Sequence, residues 1–216
     1  MAVRRRRWVV KAGGSLSKAG ALDEALAVVD SLRAAGLKIV VAPGGGEYAD
    51  FIRRKSRSAM LDDRTSHLQA MHSVCQHGLE IAGRMRNFRA VESGYEARRQ
   101  LSLGKTPVYL PDDGLCRRTG APSSWDTTSD TLAAAICARM GFAGLIFLKC
   151  VDGAMAGGKL LAEVKASDKA LHGILDPQVR RILRPGWDVF IINGQRPERI
   201  RRLLVDGSPE GTRIIP

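Results

Sequence analysis

The sequence predicts an α/β fold: a three-layer αβα sandwich around a mostly parallel central sheet, built as one domain over residues 1–216. Two observations carry that expectation. Apolar, strand-like runs alternate with segments of helical period, which is the pattern of βαβ units. The runs GLKIVVA (36–42) and GLIFLKC (144–150) are almost continuously apolar, as strands covered on both faces are.

The elements follow in order. A first strand spans 7–12. ALDEALAVVDSLRAAG (21–36) has apolar positions at helical spacing and ends at Gly36, a common helix stop. A strand at 37–42 runs into three glycines, and EYADFIRRKSR (47–57) begins a helix directly after them. Residues 63–86 read as a longer helix with Leu68, Met71, Val74, Cys75 and Leu79 as its apolar positions. A strand is expected at 107–110, then a polar stretch, 111–126, as a loop or small hairpin over one edge. TSDTLAAAICARMG (128–141) is helical and stops at Gly141. Strands at 144–150 and 187–192, a helix at 196–207 and a short strand at 213–215 complete the series.

Composition narrows the partners. Net charge is +12, from 34 Lys+Arg against 22 Asp+Glu, so anionic partners are favoured, although a general arginine bias gives the same count. The dense cluster Arg4–Arg7 reads as a nucleic-acid arm, a targeting signal or a solvated lead-in to the first strand. A secretory signal needs about 7–15 apolar residues after its charges, and WVVKAGG is too short. No stretch approaches the roughly 20 apolar residues of a membrane span. Cys75, Cys116, Cys137 and Cys150 form no CxxC pair, so reduced thiols and a cytoplasmic location are expected. Aromatics make up 5% of the chain, few for an RNA-binding module, and nucleic acid is not an expected partner.

The chemistry concentrates at strand ends. KAGGS (11–15), APGGGE (42–47), KCVDG (149–153) and INGQ (192–195) all follow apolar runs. In an open parallel sheet the loops beyond the carboxyl ends share one rim, where ligands bind. Glycines there allow close backbone approach and leave N–H groups for phosphate oxygens, or they are plain tight turns. Gly44–Gly46 lead into a helix whose N-terminus favours an anion. Lys11 and Lys149, at two strand ends, are placed to neutralise charge on a transferring phosphoryl group. Asp130 has two readings: part of a capping box Thr127-x-x-Asp130, or a carboxylate facing the rim and holding the lysines or Mg²⁺.

Two patterns resemble known sites and fail. GAMAGGKL (153–160) nearly matches a P-loop, but Leu160 has no hydroxyl for Mg²⁺ and the following LLAEV reads as half a hairpin. His67, His72 and His77 recur every five residues, which sets neighbours about 140° apart on a helix, so they cannot share one metal. His72 and Cys75 share a face, but two ligands are too few for zinc. One of these histidines could instead meet an acceptor phosphate.

VVKAGGSL (9–16), VVAPGGGEYAD (40–50), SWDTTSDTLAAAIC (124–137), LKCVDGA (148–154), IINGQRPERI (191–200) and GTRI (211–214) together resemble the amino acid kinase superfamily. The blocks occur in the family's order and span nearly the whole chain. The resemblance implies an αβα sandwich and transfer of the ATP γ-phosphoryl group, with Mg²⁺ bound through the ATP phosphates and no metal held by the protein. It implies a catalytic group of Lys11, Asp130 and Lys149. Gly13, Gly14, Ser15, Ser129, Asp152, Gly153, Lys159 and Asn193 would serve the donor nucleotide. Gly44, Gly45, Gly46, Asp50, Arg53 and His67 would serve a small anionic acceptor. The family's habit implies a homodimer or higher homo-oligomer. The short length with PGGGEYAD, SWDTTSD and LKCVDG is most similar to the subgroup of small kinases that convert a furanmethyl phosphate to its diphosphate in methanofuran-type cofactor biosynthesis, close to isopentenyl phosphate kinases. One feature departs. Many members carry a second catalytic lysine after a glycine–methionine turn, whereas ALHGILDPQVRRILRPG (170–186) has none after Gly173. Either Lys149, Lys169 or Arg180 compensates, or the chain binds nucleotide without catalysis.

Overall fold

The computed structural model describes residues 7–120 and 127–216. Strand β1 (Arg7–Ala12) leads into the short helix α1 (Gly14–Lys18) and then α2 (Leu22–Ala34). Next come β2 (Lys38–Pro43), α3 (Gly46–Ser58) and the long α4 (Asp63–Arg84). β3 (Phe88–Val91), α5 (Gly94–Ser102), β4 (Thr106–Tyr109), α6 (Asp113–Thr119) and α7 (Ser129–Met140) follow. β5 (Gly144–Lys149) precedes a small ribbon of β6 (Met155–Ala156) and β7 (Lys159–Leu160). The chain ends with β8 (Glu163–Lys165), β9 (Asp188–Asn193), α8 (Glu198–Arg201) and β10 (Gly211–Ile215).

Eight strands form the sheet in the order β3-β4-β2-β1-β5-β9-β10-β8. The six from β3 to β9 run parallel, and β10 is antiparallel to β9. Alternate side chains of the central strands enter two separate cores, because successive residues point to opposite faces. Val9, Val40, Leu145, Phe147 and Ile191 pack under α7. Trp8, Val10, Ile39, Ile146 and Ile192 pack under α2 and α8. Both faces are therefore dry, and the strands read as continuous apolar runs.

Parallel order puts the four expected loops on one rim. Adjacent strands β2, β1, β5 and β9 end side by side, with Ala12 beside Pro43 and Leu148, and Lys149 beside Asn193. α4 reaches across this rim. Its Ile81 lies in the core under α2, while its Met71 and Val74 meet Leu132 of α7 in a small apolar cluster of their own.

Two expectations are corrected. The stretch 111–126 is not simply loop or hairpin, since α6 occupies Asp113–Thr119. The Asp112 carboxylate accepts the Leu115 N–H at 2.7 Å, which starts that helix, and Leu115 is buried beneath it. Residues 121–126 of the stretch, and Arg4–Arg6 of the basic cluster, lie outside the described residues. The second correction concerns 196–207, where α8 gives way after Arg201 to a π-helical turn, Arg202–Asp206. β3 and α5 were absent from the sequence reading, although Ser93-x-x-Glu96 carries a capping signature. The Ser93 hydroxyl accepts the Glu96 N–H at 3.1 Å, and the Glu96 carboxylate accepts the Glu92 N–H at 3.3 Å.

Candidate active site

The rim begins with the two glycine loops after β1 and β2, which pack backbone to backbone. Gly44 N–H donates to the Ala12 carbonyl at 2.8 Å. A Cβ on Gly14 would stand 2.3 Å from the Gly46 Cα, and one on Gly44 would stand 2.9 Å from the Gly13 Cα. No side chain fits between the loops, so these glycines are required by their mutual approach. Gly46 also has φ of 58°, the left-handed region.

His77, on α4, locks this junction. Its Nδ1 lies 2.7 Å from the Gly44 carbonyl, which can only accept, so that nitrogen carries the proton. Its Nε2 meets the Ser17 hydroxyl at 3.0 Å. One buried imidazole thus ties the loop after β2 to the helix after β1.

Beneath the loops lies a buried charge triad. Lys11 Nζ is 3.0 Å from Asp130 Oδ1, and Lys149 Nζ is 2.6 Å from Asp130 Oδ2. Asp130 is 4% exposed and Lys11 5%. Burial pushes the Asp130 carboxyl up, but the two ammoniums outweigh it and hold it below the usual carboxylate range. Burial first, and the adjacent Lys11 cation second, lower the Lys149 ammonium below the ordinary lysine range, against the pull of Asp130. Two cations on one carboxylate leave a surplus positive charge in a poorly solvated place. An anion arriving at the glycine loops is the natural partner for it.

The triad decides between the two readings of Asp130. α7 is capped by Thr128, not Thr127: the Thr128 hydroxyl accepts the Asp130 N–H at 3.3 Å. The Asp130 carboxylate is left for the lysines, and the capping-box reading is overturned.

The segment that lacks a lysine after Gly173 supplies Asp176 instead, which the sequence reading missed. It is buried, accepts the Thr128 N–H at 2.8 Å and the Thr131 hydroxyl, and so pins this segment to the start of α7. Lys149 stands in the triad, whereas Lys169 and Arg180 are exposed.

A cavity of about 280 Å³ opens beside the triad. Gly14, Ser15 and Ser129, expected on the donor side, line it together with Gly45, Gly46, Asp50, Arg53 and His67, expected on the acceptor side. Met71, Val74 and Leu132 form its apolar lining. Lys18, absent from the sequence reading, pairs with Asp50, and Arg53 pairs with the same carboxylate at 2.9 Å. The Lys18 hydrogen bond is the largest cause that keeps the Asp50 carboxyl low. His67 is 2% exposed, and its Nε2 has no hydrogen-bond partner. Leaving a buried polar group unpaired costs about 1–3 kcal/mol.

Asp152 and Asn193 meet at the far end of the rim: Asn193 Nδ2 donates to Asp152 Oδ1 at 2.9 Å, and Arg199 pairs with the same carboxylate. Gly153 is buried against Thr212. Lys159 is exposed on the β6–β7 ribbon and takes no part in the triad. No group of three or more His, Cys, Asp or Glu among the described residues is arranged to hold a metal ion. Among the described residues, no helix is long and apolar enough to cross a membrane.

A sheet with two glycine loops, a lysine pair and an organising aspartate at its carboxyl rim defines a class, and the family model agrees. Residues 6–193 match the amino acid kinase family, and the chain belongs to it. Among curated proteins it is similar to the [5-(aminomethyl)furan-3-yl]methyl phosphate kinase of Methanocaldococcus jannaschii, with 29% identity over 211 residues, 96% of this chain and 97% of that protein. Among solved structures it is similar to UMP kinase from Bacillus anthracis, at TM-score 0.77 and 14% identity over 97% of this chain and 96% of the other. Uridylate kinase from Archaeoglobus fulgidus superposes at TM-score 0.72 and 17% identity, over 95% and 99% of the two chains. Those two likenesses establish the fold.

Proposed function

We propose that the protein is an ATP-dependent kinase that transfers the γ-phosphoryl group to a phosphate oxygen of a small phosphomonoester, with [5-(aminomethyl)furan-3-yl]methyl phosphate as the acceptor and its diphosphate as the product. The observation that carries this reading is the Lys11–Asp130–Lys149 triad directly beneath two interlocked glycine loops. The relative from M. jannaschii, matched along nearly its full length, supplies the acceptor.

The chemistry suits the residues present. A phosphate oxygen is already nucleophilic, so no strong general base is needed, and transfer depends on positioning and charge neutralisation. The bond from the acceptor oxygen to the γ-phosphorus forms as the bond to the β–γ bridging oxygen breaks, and ADP leaves. Lys11 and Lys149 neutralise charge on the transferring group, and Asp130 fixes both ammoniums. Backbone N–H groups of Gly13 and Gly14 face the donor phosphates, with Ser15 and Ser129 beside them. Asp152, Gly153, Asn193 and Lys159 serve the rest of the nucleotide. Gly44–Gly46, Asp50, Arg53 and His67 serve the acceptor. Both Asp130 oxygens are taken by lysines, so Mg²⁺ enters on the ATP phosphates and adds positive charge there. The chain acts as one domain, in the cytoplasm, as a homodimer or higher homo-oligomer. Exposed Phe51 on α3 and Leu79 on α4 offer apolar surface for pairing.

The test is ADP release with ATP–Mg²⁺ and a panel of the furanmethyl phosphate, isopentenyl phosphate and UMP. Turnover with the furanmethyl phosphate above the other two supports the reading. A second reading, nucleotide binding without transfer, draws on Asp176 standing in the segment that has no lysine after Gly173. Tight ATP binding without ADP release on any acceptor favours it.

A further inference from the structure

We propose that His67 reads the end of the acceptor farthest from its phosphate, so that the cavity selects a phosphomonoester whose far end carries a hydrogen-bonding group. The inference rests on the kinase reading above and specifies the acceptor class for that site.

The geometry comes from α4, which runs along the cavity as a ruler. His77, at the glycine end, is fully engaged with Gly44 and Ser17. His67, ten residues earlier on the same helix, lines the cavity beyond Met71 and Val74. Between them Met71 and Val74 face the cavity with Leu132, an apolar stretch that offers no polar partner. The cavity therefore has three zones: backbone amides and cations at the glycine end, an apolar waist, and one imidazole beyond it.

Of the described residues with a buried side-chain atom lacking a hydrogen-bond partner, His67 is the one that lines this cavity. Buried polar groups in folded proteins are almost always hydrogen-bonded, and an orphan implies a missing partner. His67 lines the cavity, and its buried Nε2 has no hydrogen-bond partner. An imidazole nitrogen donates or accepts according to its tautomer, so it serves an ammonium, a hydroxyl or an amide. A hydrocarbon end, as in isopentenyl phosphate, leaves it unpaired and loses the energy of that contact. An acceptor with an aminomethyl end, the group named for the M. jannaschii relative's substrate, supplies the partner.

The test compares kcat/KM for [5-(aminomethyl)furan-3-yl]methyl phosphate and isopentenyl phosphate in the native protein, His67→Leu and His67→Gln. The native protein is expected to favour the amine. His67→Leu should shift the ratio toward isopentenyl phosphate by about 10- to 100-fold, and His67→Gln, which keeps a polar tip, should shift it less. A ratio unchanged in His67→Leu, or an equal fall for both acceptors in both variants, overturns the proposal. Should the native protein turn over neither compound, the kinase reading fails separately. Calorimetric binding of the same two compounds then decides: discrimination lost in His67→Leu upholds the role of His67, and equal binding in native and variant protein refutes it.

Discussion

The triad under the glycine loops and the cavity beside it are built on opposite principles. In the triad one carboxylate holds two ammoniums before any ligand arrives, and a single positive charge is left over for an incoming anion. In the cavity a buried histidine nitrogen has no hydrogen-bond partner, and an apolar cluster detached from both main cores lines it beside Lys18, Asp50 and Arg53. The first arrangement is preorganised, so no protein group must reorient when charge moves through it. The second is completed only by what enters. Transfer chemistry shared by a family needs the former, and choice of acceptor needs the latter.

The largest expected break is Asp130→Ala. It strips the counter-ion from two buried cations, which is expected to cost about 3–5 kcal/mol and to abolish transfer. Thermal unfolding and ADP release measure the two effects. The same carboxylate sets an acid limit: with its pKa held low in the fold, its stabilisation is complete above the unfolded value near 3.9 and lost as pH falls through the native value.

Lys11→Ala should fold normally and lose about 10²–10³-fold in kcat, the usual scale for removing one charge-stabilising donor. Near-normal turnover would remove Lys11 from the mechanism.

Gly14→Ala asks whether the triad depends on the loops above it. Its Cβ would meet the Gly46 backbone at 2.3 Å, so the loops must separate at an expected cost of about 1–3 kcal/mol. A melting temperature equal to the native protein's would show that the loops are not locked together.

Lys149 offers a subtler probe. In the proposed mechanism transfer needs its charged form, and its pKa lies below the ordinary lysine value near 10.4. As pH rises, kcat/KM should fall below that value, and Lys149→Arg, which stays protonated, should move the alkaline limb upward. An unmoved limb assigns it to another group.

The smallest effect is expected from deleting residues 2–6, which removes three arginines of the basic cluster. Turnover should be unchanged. A large loss of affinity for nucleic acid with a steep salt slope would instead favour the nucleic-acid arm.

Much of the triad was legible because its residues sit at punctuation marks. Lys11 and Lys149 end apolar strands, and Asp130 opens a helix, so parallel order alone brings them to one rim. The cap of α7 was misread by one residue, since Thr127 and Thr128 are chemically alike in the sequence and only backbone geometry separates them. His77 was hidden for a different reason. Spacing made it one of three similar histidines, and its bonds to Gly44 and Ser17 join positions 33 and 60 residues away. Asp176 carries no local signal, because its bonds to Thr128 and Thr131 join positions 48 and 45 residues away.

The sequence by itself determined the alternation of buried strands and helices, the rim they create and the identity of the charges on it, because strand burial, glycine turns and helix starts are local properties of short segments. Tertiary structure alone decided that two loops from different strands interlock, that Asp130 serves lysines instead of a cap, and that His67 lines a cavity with its buried Nε2 unpaired. Those outcomes depend on distances between segments far apart in the chain, and no local pattern encodes them.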